Sequence, residues 1–533
     1  VISACWREAA YGGFIPAGHE EAWEQFAMEP DAAANASAPP RKSLLPKTMD
    51  EGDFITIVAG GITAAISRKT GLLSKFAYRG GELFSKPLMP NFWRPSTDND
   101  YGANLQKVMA SWRDAGAKAM LLEGPSVKKN SDSVLVSAKL AICGSAAELT
   151  LSYEVFAHGV RVDAKYEPMW TKGIAATSSN CAFLKSAKSS KYVDVDGKKV
   201  QCRWGDRGEW QTLTIVAEGV AAGQPLKHGH KVAVQAVTGK TESALLVHCI
   251  VPEGGLVSCT GPVGKPSWKI VRAAGEGQVL GGDEITLQAL DGSGLFLALG
   301  EGEAVVAAAA SDASKWILDV KDWPPPPRVG LRGQLVEGYE DVMWFGSGPH
   351  EAYIDRKSST KVGLFQGRIL EQTVKYVRPQ ENGNKMDTRW MALTRGSAAV
   401  SASWKGCFSM SSVGIPSSAG LLISACPPHT PGGGLGMQCH RYSIDDFDGP
   451  EDKLQQRVKH FGELVPQATT DFCIDVAQMG VGGIDSWGSR PLAQHMIPAD
   501  RGYEWSFWLR PFSNEETSSK NRALALSSLA RSQ

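Results

Sequence analysis

An excess of charge of either sign is missing from this chain: 56 Lys and Arg stand against 56 Asp and Glu in 533 residues. That balance removes the electrostatic case for nucleic acid or an anionic membrane as a partner. Long apolar runs are also missing. No stretch of about 18 apolar residues exists, which excludes a spanning helix. The ten cysteines are scattered, and no Cys-x-x-Cys is answered by a second one. A structural zinc site is therefore not expected, and the cysteines read as reduced core thiols. The N-terminus shows no basic segment followed by an apolar one, so no signal peptide is expected. It begins Val1-Ile2 without a Met, consistent with a fragment or a processed chain, and the compartment stays open. Nowhere does strand alternate eightfold with helix, as a (β/α)₈ barrel of about 250 residues would require.

What the chain does have is strand pattern. Its length exceeds one core and predicts about three or four domains. Residues 1–15 show no clean period, whereas Gly18 to Phe26 reads as one strand. Asp31 to Lys47, rich in Ala, Pro and Ser, reads as a linker, and Asn35-Ala36-Ser37 within it is a sequon only in a secreted protein. From Asp53 the apolar residues alternate with period two. Strands are expected at Phe54–Val58, Ile62–Ile66 and Leu72–Tyr78, then at Val134–Ile142, Glu148–Phe156 and Val160–Tyr166. Leu105, Val108, Met109 and Trp112 fall on one face of a short helix ending near Gly116. The pattern resumes at Val329–Val336 and Val342–Phe345 and finishes at Tyr503–Leu509. Residues 411–440, rich in Ser, Pro and Gly, read as a disordered insertion, and a polar tail is expected after Ser513.

Residues 170–322 differ. Trp210, Trp268 and Trp316 each close a block of about 40–55 residues, in which a pair of short strands precedes a turn-rich stretch. Lys191-Tyr192-Val193-Asp194-Val195 in the first block compares with Gly294-Leu295-Phe296-Leu297-Ala298-Leu299 in the third. Three such blocks look like a β-trefoil, and the third resembles a fascin-type repeat. A generic all-β insert with coincidental tryptophans is the competing reading. Trp323 and Pro324 to Pro327 form a stiff connector back to the first pattern.

The chemistry-bearing stretch is Gly480-Val481-Gly482-Gly483-Ile484-Asp485-Ser486-Trp487-Gly488. Its glycines let the backbone turn tightly or approach a neighbour closely. Trp487 is left standing among them, a flat apolar face on which a sugar ring can stack; a tight turn with a core tryptophan is the plainer alternative. Acidic and polar residues gather at Asp98-Asn99-Asp100-Tyr101-Gly102, at His350-Glu351 through Asp355-Arg356, and at Arg378-Pro379-Gln380-Glu381-Asn382-Gly383. His350 and Glu351 could serve the acid/base chemistry of an aldose epimerase. More often such residues tie loops together, Asp355 and Arg356 by ion pairs and Glu381-Asn382 by capping turns. His19 and His460 read as packing or hydrogen-bonding residues rather than ligands.

Taken in order, five segments resemble the C-terminal part of the large β-galactosidases of glycoside hydrolase family 2, the fifth or small-chain domain. They are Gly52-Asp53-Phe54 onward, Phe92 to Asp100, Trp344 to Arg356, Tyr376 to Gly383, and Gly480 to Trp487. The resemblance implies an all-β fold: a large galactose-mutarotase-like β-sandwich at 52–169 and 323–513, interrupted by the trefoil-like insertion at 170–322. Residues 1–51 would be the remnant of a preceding immunoglobulin-like domain plus linker, and 514–533 a tail. It also implies that Trp487 stacks on galactosides, that Asp98, Asn99 and Asp100 open a loop that shifts on substrate binding, and that the family's catalytic carboxylates lie in a barrel absent from this chain. Ala103 to Leu105 is shorter than the family's loop, and the insertions at 170–322 and 411–440 depart from its pattern. No cofactor is expected in this chain; Mg and Na in intact relatives are bound mainly by other domains, although the carbonyls of Arg378-Pro379 match a place that can hold a monovalent cation. The expected partners are galactosides or another carbohydrate, and a catalytic barrel chain or a second copy of this one. A stand-alone carbohydrate-binding or adaptor protein acting through the insertion is the rival reading, with the epimerase as another.

Overall fold

The computed structural model describes residues 2–7, 19–26, 45–143, 146–169, 180–205, 209–221, 224–240, 245–320, 324–395, 420–426, 434–449, 460–485, 488–498, 501–513 and 522–531. These residues are nearly all β, and every ladder among them is antiparallel. A parallel eight-stranded barrel is thus absent from the described residues.

Two sheets share the main core. The larger has nine strands in the order Lys361–Arg368, Tyr339–Gly348, Trp390–Arg395, Gly420–Ala425, Tyr503–Phe512, Gly159–Pro168, Ala147–Phe156, Val134–Ile142 and Met120–Lys129. The smaller has five: Lys385–Thr388, Leu435–His440, Thr470–Gln478, Arg328–Leu335 and Phe84–Asn91. Period-two alternation explains how they meet, because successive side chains on a strand point to opposite faces. Leu149, Leu151, Trp505 and Phe507 of the first sheet pack into one cluster with Leu331, Met437, Phe472 and Ile474 of the second. A five-stranded meander over residues 47–82 closes the cluster with Ile57, Ile66 and Phe76.

The smaller sheet is unusual on its other face. Arg328, Gly330, Gln438, His440 and Asp475 alternate with the core residues there and are nonetheless buried, except that glycine contributes no side chain. The loops carrying the sequence motifs lie over this polar face.

Residues 180–320 build a separate unit whose strands pair only with one another. Asn180–Ser186, Leu213–Ala217, Lys231–Lys240, Trp268–Arg272, Glu284–Ala289 and Trp316–Val320 pair in that order, and the last pairs back to the first. That is a closed ring of six strands. Three hairpins stand on it: Tyr192–Asp196 with Lys199–Trp204, Leu245–Glu253 with Leu256–Gly261, and Phe296–Leu299 with Val305–Ala308. Trp268 and Trp316 fill its interior, their indole N–H groups donating to the carbonyls of Ile250 (2.7 Å) and Leu297 (2.9 Å). Trp210 does not join them. It is exposed on a 3₁₀ turn, and Leu213 occupies the matching core position.

Other expectations need correction. Within 411–440, Gly420–Ala425 and Leu435–His440 are fully buried central strands, because apolar runs there are flanked by Pro and Gly that dominate the local composition. Residues 411–419 and 427–433 lie outside the described residues. The helix expected through Gly116 is two pieces, Leu105–Val108 and Ala110–Trp112, broken at Met109 (φ −98°, ψ 8°). Leu105, Met109 and Trp112 are buried as the spacing predicts, but Val108 is exposed. The tail contains a helix, Arg522–Arg531, whose Leu526 packs on Trp390 and Phe512 behind the larger sheet. Residues 1–15 do contain a strand, Ile2–Arg7, paired with Glu20–Phe26. Gln25 of that hairpin exchanges hydrogen bonds with both the N–H (2.7 Å) and the C=O (2.9 Å) of Val362, occupying part of an edge strand that would otherwise be open. The linker and sequon at 31–47 lie mostly outside the described residues.

Candidate functional site

Four of the five motifs meet at one place above the polar face. Arg94 is the knot. Its buried guanidinium donates to the carbonyls of Met479 (2.8 Å) and Gly480 (2.9 Å) and to both oxygens of Asp100 (3.0 and 3.1 Å). One side chain thereby joins the Asp98–Gly102 helix to the start of the glycine loop. The helix itself begins with a capping box: the Asp100 N–H donates to Thr97 Oγ1 (3.1 Å), and the Thr97 N–H donates to Asp100 Oδ2 (2.9 Å). Asp100 is therefore spent on structure, and Asp98 and Asn99 are the members of that triplet nearer to solvent.

The glycine loop is held from three sides. Asp355 accepts the N–H of Val481 (3.0 Å) and of Gly482 (2.9 Å), Asn99 Nδ2 donates to the Val481 carbonyl (3.2 Å), and the Gly480 N–H donates to His495 O (2.8 Å). Two of the glycines are required by contact. A Cβ at Gly480 would lie 2.3 Å from Asp355 Oδ2, and one at Gly488 would lie 2.4 Å from the backbone of Gly102. Gly488 also has φ +84°. Asp485 closes the turn by accepting the Ser489 N–H (3.2 Å) and O–H (2.7 Å). Ser486 and Trp487 lie outside the described residues; the loop delivers the chain on either side of them, at Asp485 and Gly488, beside Gly102. Ile484 is exposed on the same loop.

A third wall comes from residues 376–384. Gln380 exchanges hydrogen bonds with Asp98, through its backbone N–H and its carboxylate (both 3.1 Å), and Arg378 stands 3.8 Å from the same carboxylate. Beneath this wall Glu351 is buried. It accepts from Gly383 N–H (2.8 Å), Arg356 (3.0 Å) and the Tyr376 hydroxyl. His350 is exposed, with Nδ1 tied to its neighbour's carbonyl (2.8 Å). The structure thus places Glu351 underneath and His350 outside, an arrangement unlike two groups converging on one sugar. Arg356 forms the ion pair expected of it, but Asp355 is a loop anchor, and Asn382 rather than Glu381 holds the turn, through the Val374 N–H (3.0 Å) and the Gln380 carbonyl (2.8 Å). His19 and His460 are exposed.

Below lies a charge cluster that no local motif announces. Arg328 bonds Glu381 Oε1 and Gln438 Oε1 (both 2.9 Å) and stands 3.2 Å from Asp475, with all three charged side chains sealed from solvent. Burial pushes the Asp475 carboxyl up to about 7. His440, bonded to Thr373 (2.9 Å) and to the Asn382 carbonyl (3.2 Å), is pushed down to about 3 by burial and by Lys385. Beside the helix, Asp448 receives the Trp93 indole N–H (3.0 Å) and pairs with Arg113, and burial raises its carboxyl to about 6. Among the described residues no set of His, Cys, Asp and Glu forms a metal-binding group. Arg94, Asp355 and Gln380 were absent from the candidate site residues read from sequence. The Thr97-x-x-Asp100 capping signature was legible there; the partners of Arg94 and Asp355 were not.

Comparison with known proteins gives the geometry a context. The Beta galactosidase small chain family model matches residues 59–198 and 299–509, leaving a gap inside the ring-forming unit. The beta-galactosidase of Priestia megaterium is 20% identical over 505 residues, covering 93% of this chain and 30% of that protein. The beta-galactosidase of Vibrio cholerae is 31% identical over 194 residues, 36% of this chain and 15% of that protein, and the Arthrobacter protein of the same name is 43% identical over 72 residues, 14% of this chain and 7% of that protein. The chain spans less than a third of the length of these relatives. With its family model covering well over half of its residues, this chain belongs to the beta galactosidase small chain family.

Proposed function

We propose that this chain is the C-terminal, substrate-closing portion of a glycoside hydrolase family 2 β-galactosidase, which releases terminal non-reducing β-D-galactose. The observation that carries this reading is the convergence of the Asp98 helix, the 376–384 wall and the glycine loop at one surface place, locked by Arg94 and Asp355. A loop moored on both sides of Trp487 can present an indole to a sugar at reduced entropic cost, because its flanks are already held by hydrogen bonds. Asp98 and Asn99 supply polar groups at the rim. A retaining glycosidase also needs two carboxyl groups about 5–5.5 Å apart on either side of the glycosidic bond. Glu351, Glu381, Asp475 and Asp100 are buried and committed to structural partners, which supports reading the acid and the nucleophile as groups of a barrel outside this chain.

The sandwich is read as galactose-mutarotase-like, on its two facing antiparallel sheets. The unit at 180–320 is read as a β-trefoil, on its ring of six strands carrying three hairpins. The test is hydrolysis of a chromogenic β-galactoside by this chain alone and by the chain joined to its upstream coding sequence. The expected result is no turnover by the chain alone, turnover by the longer protein, and a raised KM after Trp487→Ala. Turnover by the isolated chain, or an unchanged KM in the variant, would overturn the reading.

A further inference from the structure

The three repeats of the 180–320 unit are alike in topology but not in where they keep their tryptophans. In the second and third, Trp268 and Trp316 are wholly buried and hydrogen-bonded in the ring. In the first, Leu213 does that work, and two indoles stand outside: Trp204 is 49% exposed and Trp210 57% exposed. Trp204 ends the second strand of its hairpin, where the other two hairpins end in Gly261 and Ala308. A core requirement would act on all three repeats equally, so it does not account for a pair of exposed indoles on one.

The two indoles share a neighbour. Trp204 is the cross-strand partner of Tyr192, and the turn bearing Trp210 packs against the same strand, Tyr192–Asp196. Beside them the polar groups are fixed. The Asp194 carboxylate is fully buried and accepts the backbone N–H (3.0 Å) and Nε (2.9 Å) of Arg203. That holds the Arg203 guanidinium 5.9 Å from the Trp204 ring and 3.7 Å from the carboxylate of Asp196, which is itself more than half exposed. Trp204 thus stands beside a guanidinium whose Nε and one Nη are held by Asp194 and whose remaining N–H groups are left as donors, with Asp196 as an acceptor and Trp210 on a turn packed against the same hairpin. Protein interfaces gather Trp and Arg but deplete Asp at their centre, and here the exposed Asp196 stands beside the Arg203–Trp204 pair. A pyranose ring needs that combination, an apolar C–H face on an aromatic ring and vicinal hydroxyls bonded by charged groups at its edge.

We infer that the first repeat of the inserted unit carries a second carbohydrate site, formed by Trp204, Trp210, Arg203 and Asp196, for a pyranose unit of an oligosaccharide. Its role is to hold a sugar chain on the same molecule, which raises the local concentration of that chain at any second sugar site. The inference is independent of the reading of Trp487.

The experiment is titration of the full chain with β-1,4-galactotetraose and, separately, with cellotetraose, followed by calorimetry and by indole fluorescence. Saturable binding of at least one tetraose is expected. Trp204→Ala and Trp210→Ala should each weaken it by about tenfold, the equivalent of one truncated anchor. Arg203→Lys, which keeps the charge and loses the planar edge, should also weaken it. The thermal unfolding of the Trp204 and Trp210 variants should match the parent, since both indoles are exposed. Binding of neither sugar, or binding lost with Trp487→Ala and kept in the Trp204 and Trp210 variants, overturns the inference. So does a change in sedimentation of those variants without a change in sugar binding, which would identify the patch as a contact between copies.

Discussion

Gly488 shows how closely single residues decide the candidate site. It sits at φ +84° with the backbone of Gly102 where a Cβ would go, so Gly488→Ala combines backbone strain with a clash. A cost of about 1–3 kcal/mol is expected, measurable as a lower urea midpoint, and on the function proposed above galactoside affinity should fall as the loop lifts from the helix. Asp355→Asn is the companion: it keeps the shape but replaces one of the two acceptors for the Val481 and Gly482 N–H groups, and should raise KM more than it lowers stability. The buried titratable groups make a separate prediction about pH. His440 is held near 3 while an unfolded histidine titrates near 6.5, so the unfolded state gains protons first as pH falls, and stability drops across that window. Asp475 works the other way. Its carboxyl is held near 7 against an unfolded value of 3.8, so the native state keeps a proton the unfolded chain has released, and this contribution fades as pH rises between those values. Urea midpoints measured from about pH 4 to 7.5 should fall less on the acid side in His440→Gln, and less toward neutrality in Asp475→Asn. A pH profile unchanged by either substitution would contradict the burial assigned to both groups. Little of this was legible beforehand. Trp487 could be singled out by the glycines around it, and Asp98 and Asn99 by the family resemblance of their segment, whereas Arg328 meets Glu381 across 53 positions and no local pattern marks the pair.

At the scale of elements, period two was the reliable signal. Ala147–Phe156 alternates strictly between core and outside, Val134–Ile142 does so up to its last two residues, and their sequence says so directly. The signal failed where a strand is buried on both faces. Gly420–Ala425 has no exposed side to supply polar residues; Leu435–His440 does alternate core residues with Gln438 and His440, and there the Pro- and Gly-rich flanks hid the period. It was also misled by residue identity in the inserted unit, where three tryptophans at similar spacing looked equivalent. Topology shows that Leu213, Trp268 and Trp316 are the equivalent set. This difference can be measured. Trp268→Ala empties a fully buried site and leaves the Ile250 carbonyl without its donor, so a loss of about 3–5 kcal/mol is expected. Trp210→Ala should change stability by no more than about 0.5 kcal/mol. Equal losses in the two variants would restore the three-tryptophan reading.

For the whole molecule the question is how far two cores in one chain depend on each other. The ring at 180–320 pairs with no strand outside itself and has its own apolar cluster, while the sandwich and meander share another. The return from the ring is nevertheless tied into the sandwich: Trp112 Nε1 donates to the Pro324 carbonyl (2.6 Å), and the Met479 N–H donates to that of Pro327 (3.0 Å). Met479 immediately precedes the glycine loop, and its own carbonyl is one of the acceptors on Arg94. The connector thus supplies one anchor just before the glycine loop. Removing residues 180–320 while joining 170–179 directly to 321–323 should leave the sandwich folded, because Pro324 to Pro327 and their two hydrogen bonds remain. Calorimetry of the full chain should resolve two unfolding transitions, of which the excised chain keeps one, and Trp268→Ala should lower only the other. A single transition shared by both cores, or a sandwich that fails to fold after the excision, would mean that the ring supports the glycine loop through contacts beyond that connector.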